Sequence, residues 1–509
     1  MTTAQICIMS VIIVYLIFMI IIGAWYSKKT KNVGDFYLGG RRLGPLVTAM
    51  SAEASDMSSY LLMGLPGLAY LSGVADVGWT AIGLAVGTYL NWVIVARKLR
   101  DYSANIGAIT IPDYFSRRYK ENKNILMALS ALVIIVFFVP YTASGFAACG
   151  KLFGTLFGVD YHIAMVISAI VIVGYTSLGG FNAASTTDFI QSIIMTCALV
   201  IVLIFGINQA GGWDAVIANA KSLEGYFSLT LTHDPVSGGS KDYGLFTIIS
   251  TLAWGLGYFG MPHILLRFMA IEDSKKLKTS RRIATVWVII SMGIAVLIGI
   301  VGRAMVKNGA LSALEDSETI IIQISDLLSK SGIFPALLAG VILSGILAST
   351  MSTADSQLLA ASSSASENIL GGLFKINVSE KVKMIVARAV LIVISVIGVV
   401  IAWDSDSSVF GIVSFAWAGF GAAFGPVMLL SLFWKRSNKY GAIAGMIAGG
   451  VMVFVWKYVI ADLAAILKIY ELLPAFITGL IVNIAVSLLT PKPEQSVVEE
   501  FEKAGRKAD

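Results

Sequence analysis

The feature that most constrains this chain is a series of thirteen apolar stretches, each long enough to cross a lipid bilayer as a helix. A transmembrane helix needs about 20 mainly apolar residues. Only 13% of the 509 residues are charged, whereas soluble domains carry about 25%. The sequence therefore predicts an all-α polytopic membrane protein. The predicted spans lie near residues 6–27, 44–72, 76–97, 124–153, 162–180, 185–209, 243–271, 281–305, 333–368, 384–403, 407–433, 440–460 and 466–490.

The lysines and arginines predict the orientation of these spans. Cytoplasmic connections of membrane proteins are enriched in both residue types. Every second connection of this chain is basic, and together these connections hold 28 of the 37 lysines and arginines. We therefore expect an outside N-terminus and a cytoplasmic C-terminus. The net charge of +6 then faces the cytoplasm and anionic lipid, and it gives no reason to expect a nucleic-acid partner.

Two stretches interrupt the apolar pattern, one in the second span and one in the seventh. "SAEASDMSSYLLMGLPG" (51–67) places Glu53 and Asp56 at bilayer depth, where a carboxylate costs about 3 kcal/mol or more. "WGLGYFGMPHILLRFMA" (254–270) has three glycines and Pro262 within eight residues, which predicts unwound backbone. Such backbone is tolerated only where protein or a water-filled cavity satisfies it. The alternatives are buried partners for the carboxylates and a glycine-rich packing surface in the seventh span.

The two interrupted spans are five spans apart, so they cross the membrane in opposite directions. Interrupted helices at corresponding places of two inverted halves are the best sequence pointer to a secondary transporter's binding site. We therefore expect a 5+5 inverted repeat. The expected organisation is one transmembrane domain at 1–490, with helix 1 at 6–27, a first repeat at about 44–209, a second repeat at about 243–433 and helices 12 and 13 at 440–490, followed by a mobile cytoplasmic tail at 491–509.

The ninth span carries a row of hydroxyl groups. Ser349, Ser352, Thr353 and Ser356 have the i, i+3, i+4, i+7 spacing of one helix face, and Asp355 stands at its edge. Several neutral oxygens with at most one carboxylate suit sodium, which is a small, hard, singly charged cation. The alternative is a packing face whose hydroxyls bond to their own helix. The stripe therefore favours, without requiring, a sodium site beside the unwound part of the second span.

Four motifs in order along the chain resemble the sodium/solute symporter family, and among its members they are most similar to the carriers of proline. They are "ASDMSSYLLMGLPG", "GGFNAASTTDFIQ", "WGLGYFGMPHILLRFMA" and "STMSTADSQLLAASS". The resemblance extends from the first helix to about residue 490. It implies a LeuT-like fold in the plasma membrane of a bacterium and alternating-access uptake of L-proline or a similar amino acid. Sodium is the implied coupling ion, membrane lipid surrounds the chain, and a monomer is compatible with the sequence.

The resemblance also implies roles for individual residues. The implied sodium ligands are the carbonyls of Ala54, Met57 and Ser349 and the side chains of Ser352 and Thr353. The residues implied in sodium coupling or in a second cation site are Asp56, Asp188, Asp355 and Ser356. The residues implied to line the substrate pocket are Ser58, Ser59, Tyr60, Tyr141, Trp254, Tyr258, Met261 and Pro262.

The residue pattern is compatible with such a pocket. Trp254, Tyr258 and Met261 would share one face of an α-helix at i, i+4 and i+7. Aromatic rings suit an apolar ring, and the amides at the start of a half-helix suit a carboxylate. Ser59-Tyr60 and Met261 stand where proline carriers of the family have Gly-Trp and glutamine. Another small amino acid or a related organic solute is therefore the alternative substrate.

Two other classes of protein are compared with a carrier. An ion-conducting channel would conduct without saturation by a substrate, whereas broken helices in both halves favour a rocking carrier. The HExxH and GxSxG motifs of hydrolases and the GxxxxGK[ST] loop of ATP-driven machines do not occur in the sequence. We therefore expect neither an enzyme nor an ATP-driven pump.

Overall fold

The computed structural model describes residues 1–28, 33–373 and 379–508. The basic residues Lys29 and Lys31 lie outside this part of the chain. The α-helices are α1 Thr3–Ser27, α2 Val33–Leu38, α3 Pro45–Asp56, α4 Leu65–Ser72, α5 Val74–Leu90, α6 Ala96–Asn105, α7 Ile111–Arg118, α8 Ile125–Phe157, α9 Tyr161–Gln209, α10 Trp213–Ser222, α11 Leu245–Leu252, α12 Pro262–Ala270, α13 Leu277–Lys307, α14 Ile320–Ser329, α15 Ile333–Ser363, α16 Glu380–Ile401, α17 Val409–Phe433, α18 Lys439–Val455, α19 Leu472–Leu489 and α20 Gln495–Ala508.

Shorter elements join or extend these helices. The π-helical turns are Tyr60–Gly64, Asn91–Val95, Ser364–Leu373 and Trp456–Ile460, and the 3₁₀ turns are Gly39–Arg41, Ala253–Phe259, Ser274–Lys276, Ser317–Thr319 and Ala465–Leu467. Strands β1 (Leu231–His233) and β2 (Ser240–Asp242) pair antiparallel in the connection after α10, with Leu231 opposite Asp242.

The thirteen predicted spans correspond one for one to apolar helical segments. Within the described residues, nine helices are long and apolar enough to cross a membrane, and a bent pair, Leu245–Phe259 with Pro262–Ala270, adds a tenth. Three shorter apolar segments, Tyr60–Ser72, Tyr161–Gly174 and Arg388–Ile401, fall in the remaining predicted spans. The predicted all-α polytopic architecture is confirmed, while thirteen crossings, the orientation and the repeat boundaries stay predictions.

The first helix, α1, is apolar on both faces. In α1, Ile8 and Ile12 are fully buried, whereas Val14 and Ile17 are more than half exposed. The buried face packs on α9 and α15. A helix that is hydrophobic on every side is typical of a membrane span. The exposed side of α1 is therefore the side that lipid would cover.

The second and ninth predicted spans, which are both too long for one straight crossing, behave differently. The second span breaks as predicted, because α3 ends at Asp56 and α4 begins only at Leu65. The ninth span does not break. It extends instead as α15, which continues through the π-helical turn Ser364–Leu373. The fifth and sixth spans are joined within α9, where Gly180 adopts a φ of +67° that favours glycine.

The prediction of a mobile tail is wrong for the described residues after 494. They form α20, which packs on α6, and Val497 and Ala504 are buried there. The Phe501 ring lies 4.9 Å from the guanidinium of Arg118. The polar composition of this segment concealed an apolar face at helical spacing, and an amphipathic helix gains its stability from such a face.

Candidate functional site

The candidate site begins at the break in the second span. After α3 ends at Asp56, Met57 has a non-helical backbone with φ −77° and ψ 62°. The chain turns sharply there, with the Ser58 N–H donating to the Asp56 carbonyl at 2.8 Å and the Leu61 N–H to the Ser58 carbonyl at 3.0 Å. The carbonyls of the last turn of a helix lack partners within that helix. The end of α3 therefore presents backbone oxygens to neighbouring helices.

The seventh span breaks at the corresponding place. Residues Ala253–Phe259 form a 3₁₀ helix, Met261 is extended, and α12 begins at Pro262. The prediction of irregular backbone is thus confirmed. The prediction of a shared α-helical face for Trp254, Tyr258 and Met261 is wrong, because a 3₁₀ helix has about three residues per turn and Met261 lies beyond its end.

Side chains from other helices satisfy the backbone carbonyls of this 3₁₀ segment. The Trp417 indole N–H donates to the Trp254 carbonyl at 2.8 Å, and the Asn91 amide donates to the Tyr258 carbonyl at 3.0 Å. Gly257 lies against Trp417 so closely that an added Cβ would be 1.9 Å from the indole nitrogen. Neither Trp417 nor Asn91 was predicted from sequence, because each supports the site from a distant part of the chain.

Asp56 joins the two broken spans. Its Oδ2 accepts a hydrogen bond from the Tyr258 hydroxyl at 2.7 Å, and its carbonyl accepts one from the Tyr141 hydroxyl at 3.0 Å. Its other carboxylate oxygen has no partner among the described residues. Glu53 is also buried, and its Oε1 accepts from the Trp92 indole at 3.1 Å. The structure therefore brings the predicted residues Asp56, Tyr141 and Tyr258 together.

The hydroxyl face of α15 meets the end of α3. The Ser352 hydroxyl donates to the Ala54 carbonyl at 2.8 Å, and it is also 3.2 Å from the Ser349 carbonyl. The Thr353 hydroxyl donates to the same Ser349 carbonyl at 3.1 Å. Four of the five predicted sodium ligands thus lie together, and Met57 follows at the break. This set of neutral hydroxyl and carbonyl oxygens fits the chemistry of sodium.

The residues predicted for a second cation site surround an arginine. Asp188 Oδ2 accepts from Arg267 at 2.9 Å and from the Ser51 hydroxyl at 2.6 Å. The same arginine donates to the Ser356 hydroxyl at 2.6 Å, and that hydroxyl lies 3.2 Å from Asp355 Oδ1. Arg267 was not among the predicted site residues, although an arginine inside an apolar span is a functional signal in itself.

Aromatic rings lie beside the two breaks. The Tyr60 ring is 5.7 Å from the Trp254 ring and 5.6 Å from that of Phe410, and Tyr470 stacks on Trp254 at 4.9 Å. Phe410 and Tyr470 were not predicted. The hydroxyls of Tyr60 and Ser59 are buried, and neither has a hydrogen-bond partner in the described parts of the chain. The cluster therefore combines ring surfaces with unused polar groups.

The other predicted pocket residues lie at the two breaks. The Ser58 hydroxyl accepts from the Tyr60 N–H at 3.3 Å, and Met261 is fully buried at the second break. Pro262 lines a cavity together with Ser356, Arg267 and Thr110. Thr110 belongs to a basic connection that is predicted to be cytoplasmic. The cavity thus lies between the breaks and that face of the protein.

An ion pair closes the protein on the side of the breaks that lies opposite the cavity. Glu318, in the acidic connection before α14, accepts from the Lys151 ammonium at 2.7 Å. The same carboxylate accepts from the backbone N–H groups of Val409 and Phe410 at 3.0 and 3.1 Å, which begin α17. Charge-assisted bonds to the N-terminus of a helix are among the stronger hydrogen bonds. Because Phe410 contacts Tyr60, this closure lies next to the aromatic cluster.

The chain is similar to known transport proteins over most of its length. The model of the sodium:solute symporter family matches residues 36–449. The high-affinity proline transporter PutP of Bacillus subtilis is 43% identical over 485 residues, which are 95% of this chain and 98% of that protein. The osmoregulated proline transporter OpuE of the same organism is 42% identical, and 96% of each chain is covered. A sodium/proline symporter of Haemophilus influenzae is also 42% identical, with 96% of each chain covered.

Solved structures show the same fold. A substrate-bound, outward-open Na⁺-coupled sialic acid symporter has a TM-score of 0.79 at 21% identity, covering 96% of this chain and 99% of that one. Mhp1, a nucleobase-cation-symport-1 family transporter in a closed conformation, has a TM-score of 0.56 at 15% identity, covering 93% and 99%. The predicted LeuT-like fold is confirmed by these similarities.

Proposed function

Because the chain belongs to the sodium:solute symporter family, we propose that it imports L-proline together with sodium across the cell membrane by alternating access. It is a multi-pass membrane protein and not an enzyme. The observation that carries the sodium half is the Ser352–Ala54 contact, which joins a hydroxyl face to the broken end of α3. Proline is supported by full-length relatives that are named proline transporters. A monomer in direct contact with lipid is part of the same proposal.

The proposed sodium site uses the oxygens that already converge at this contact. The carbonyls of Ala54, Met57 and Ser349 and the hydroxyls of Ser352 and Thr353 would replace the water lost by the ion. The Ser352 hydroxyl that now donates to Ala54 would turn a lone pair towards the cation. All these oxygens are neutral, so the nearby carboxylate of Asp56 supplies the compensating charge.

Asp56 is proposed to couple the ion to the substrate. It is one residue from the Met57 carbonyl, and its Oδ2 bonds to Tyr258 on the other broken span. A cation bound beside α3 would draw electron density from this carboxylate and change the strength of the Tyr258 contact. Sodium binding would thereby alter the position of the 3₁₀ segment that carries Trp254.

Proline is proposed to bind at the aromatic cluster. Its pyrrolidine ring would pack on Tyr60 and Trp254, since aromatic faces suit both apolar rings and cations. Its carboxylate would approach the N–H groups that begin the second half of the broken span, near Ser59. The unused hydroxyls of Tyr60 and Ser59 are available as donors. Ser58, Tyr141, Met261 and Pro262 are proposed to complete the walls.

The two broken spans are tied together on the side of the cavity. The Leu43 N–H donates to the Ala270 carbonyl at 3.2 Å, and the Glu272 N–H donates to the Leu43 carbonyl at 3.0 Å. Leu43 and Ile271 thus form a parallel bridge between the start of the second span and the end of the seventh. We expect the two spans to move as one body, while the Glu318 closure makes and breaks on the opposite side.

The membrane potential supplies enough energy for accumulation. One charge that moves through 100 mV yields about 2.3 kcal/mol, and about 1.4 kcal/mol corresponds to a tenfold concentration ratio. A single sodium ion therefore supports roughly 50-fold accumulation of a neutral amino acid before its own concentration gradient is added.

The test is uptake of labelled L-proline into proteoliposomes with an imposed inward sodium gradient. We expect saturable uptake that ends when a sodium ionophore collapses the gradient, and competition by proline-like compounds in a panel of amino acids. Asp56→Asn should abolish the stimulation by sodium, because the compensating charge is lost while the volume is kept. Saturable uptake that ignores sodium would contradict the sodium half, and failure of proline to compete would contradict the substrate. Conduction without saturation would indicate a channel.

A further inference from the structure

Tyr470 reaches the aromatic cluster from a part of the chain outside the two predicted repeats. It lies two residues before α19, at the start of the predicted thirteenth span. Its ring is 4.9 Å from the Trp254 ring at an interplanar angle of 21°, and the Tyr60 ring is 5.7 Å from the Trp254 ring at 27°. Three nearly parallel rings therefore connect the second, seventh and thirteenth predicted spans.

Two hydrogen bonds hold Tyr470 in this position. Its N–H donates to the Ser250 hydroxyl at 2.7 Å, and its own hydroxyl donates to the Ser414 carbonyl at 2.7 Å. Ser250 belongs to α11, which leads directly into the 3₁₀ segment, and Ser414 belongs to α17. The start of α19 also packs closely, because a Cβ added at Gly421 of α17 would be 2.7 Å from Leu472. Tyr470 is therefore anchored to the elements that carry the proposed pocket.

The orientation of the Trp254 indole depends on the neighbouring rings. The hydrogen bond from Trp417 holds the backbone carbonyl of Trp254 rather than its ring. Trp254 and Tyr60 are buried, whereas Tyr470 is half-buried and follows exposed residues such as Ile466. Tyr470 is thus the most accessible of the three stacked rings. Its removal would leave space into which the indole can tilt.

We infer that Tyr470 is a positioning residue that sets the size of the substrate ring that the carrier accepts. It acts through Trp254, because it holds the indole where that indole limits the pocket. A five-membered ring then fits against Tyr60 and Trp254, whereas a six-membered ring collides with the indole. This inference rests on the proposed function, since it presupposes that a cyclic secondary amino acid binds at the aromatic cluster.

The experiment is sodium-driven uptake of labelled L-proline by the full-length protein in proteoliposomes. The competitor is L-pipecolate, the homologue of proline with a six-membered ring. In Tyr470→Leu the half-saturating proline concentration should rise about 2- to 10-fold, which is the contribution of one aromatic pair, while the maximal rate stays unchanged. The ratio of the pipecolate inhibition constant to that proline concentration should fall about tenfold, which is the discrimination that one methylene group gives in an apolar pocket.

Three further variants separate the ring from its anchors and from its position. Tyr470→Phe keeps the ring and the N–H anchor, so it should retain the wild-type ratio. The double variant Ser250→Ala with Tyr470→Phe removes both hydrogen bonds and frees the ring, so it should shift the ratio in the same direction as Tyr470→Leu. The matched control is Tyr458→Leu at the outer end of the twelfth span, where the tyrosine is 64% exposed, and it should change neither value.

The possible outcomes separate this inference from the proposed function. An unchanged ratio in a folded Tyr470→Leu variant would overturn the role of Tyr470, and so would a fall in the maximal rate alone. If that variant does not fold, an unchanged ratio in the double variant has the same meaning. An equal change in Tyr470→Phe would also overturn the inference, because the ring would not be the group that matters. In all these cases proline uptake by the wild type stays intact, whereas its absence would overturn the proposed function and this inference with it.

Discussion

Replacing Glu318 with glutamine should open the carrier on the side opposite the cavity. The carboxylate holds Lys151 at 2.7 Å and two N–H groups at the start of α17. Glutamine keeps the shape but removes the charge that pairs with a buried ammonium. Loss of one partner of a buried ion pair costs about 3–5 kcal/mol. Because Asp316 also lies 2.8 Å from Lys151, we expect the lower end, about 3 kcal/mol.

This energy acts only on the closed conformation. When the connection before α14 separates from α17, the contacts of Glu318 are lost in the wild type as well. A cost of about 3 kcal/mol therefore shifts the equilibrium towards the open form by roughly 100-fold, since about 1.4 kcal/mol is a factor of ten.

The shift can be measured by thiol labelling with a membrane-impermeant reagent applied from the outside. The reporter is Ser59→Cys, which is nearly isosteric and buried next to the aromatic cluster, in a background without Cys7, Cys149 and Cys197. Glu318→Gln should raise the labelling rate by up to that factor. The matched control is Asp316→Asn, whose side chain is 37% exposed. An exposed pair contributes about 0–1 kcal/mol, so the rate should change by less than about fivefold. Equal rates in Glu318→Gln and its background would refute the reasoning.

Two other substitutions test the sodium site and the broken seventh span. Ser352→Ala removes a hydroxyl and leaves the buried Ala54 carbonyl without its donor. The half-saturating sodium concentration for proline uptake should therefore rise about tenfold, which corresponds to about 1.4 kcal/mol. An unchanged value would exclude Ser352 as a ligand. Gly257→Ala places a methyl group against Trp417 and should abolish uptake. The control is Gly244→Ala, where an added Cβ meets nothing within 4 Å, and this variant should transport normally. Normal uptake by Gly257→Ala would show that the close contact is not needed.

Periodicity and composition were sufficient to predict the spans and the hydroxyl face. Apolar runs of spanning length need no partner to be recognised, and Ser349, Ser352 and Thr353 lie on one face because α15 is a regular helix. The breaks were also predictable, since Asp56 and the glycine–proline cluster violate the pattern of an ordinary span. Local sequence therefore predicts both the regular helices and the positions at which they are interrupted.

The groups that satisfy the breaks could not be predicted in the same way. Trp417 and Asn91 donate to carbonyls 163 and 167 positions away, and no local pattern marks such partners. The prediction that Trp254 and Tyr258 share one helix face failed because unwound backbone can adopt several geometries, of which the 3₁₀ helix is one. Arg267 was visible as an isolated charge, but its partners Asp188 and Ser356 belong to two other helices.

The bridge between Leu43 and Ile271 uses main-chain atoms alone. Main-chain hydrogen bonds of this kind do not depend on which side chains occupy the two positions. Both residues can therefore change during evolution while the half-helices stay connected. The bridge also joins the two half-helices into one unit at the end that is predicted to be cytoplasmic. Release of the substrate at that end must then come from movement of the surrounding helices away from the joined half-helices. We expect the sequence constraint on that movement to fall on the contact surface of the surrounding helices rather than on the half-helices themselves.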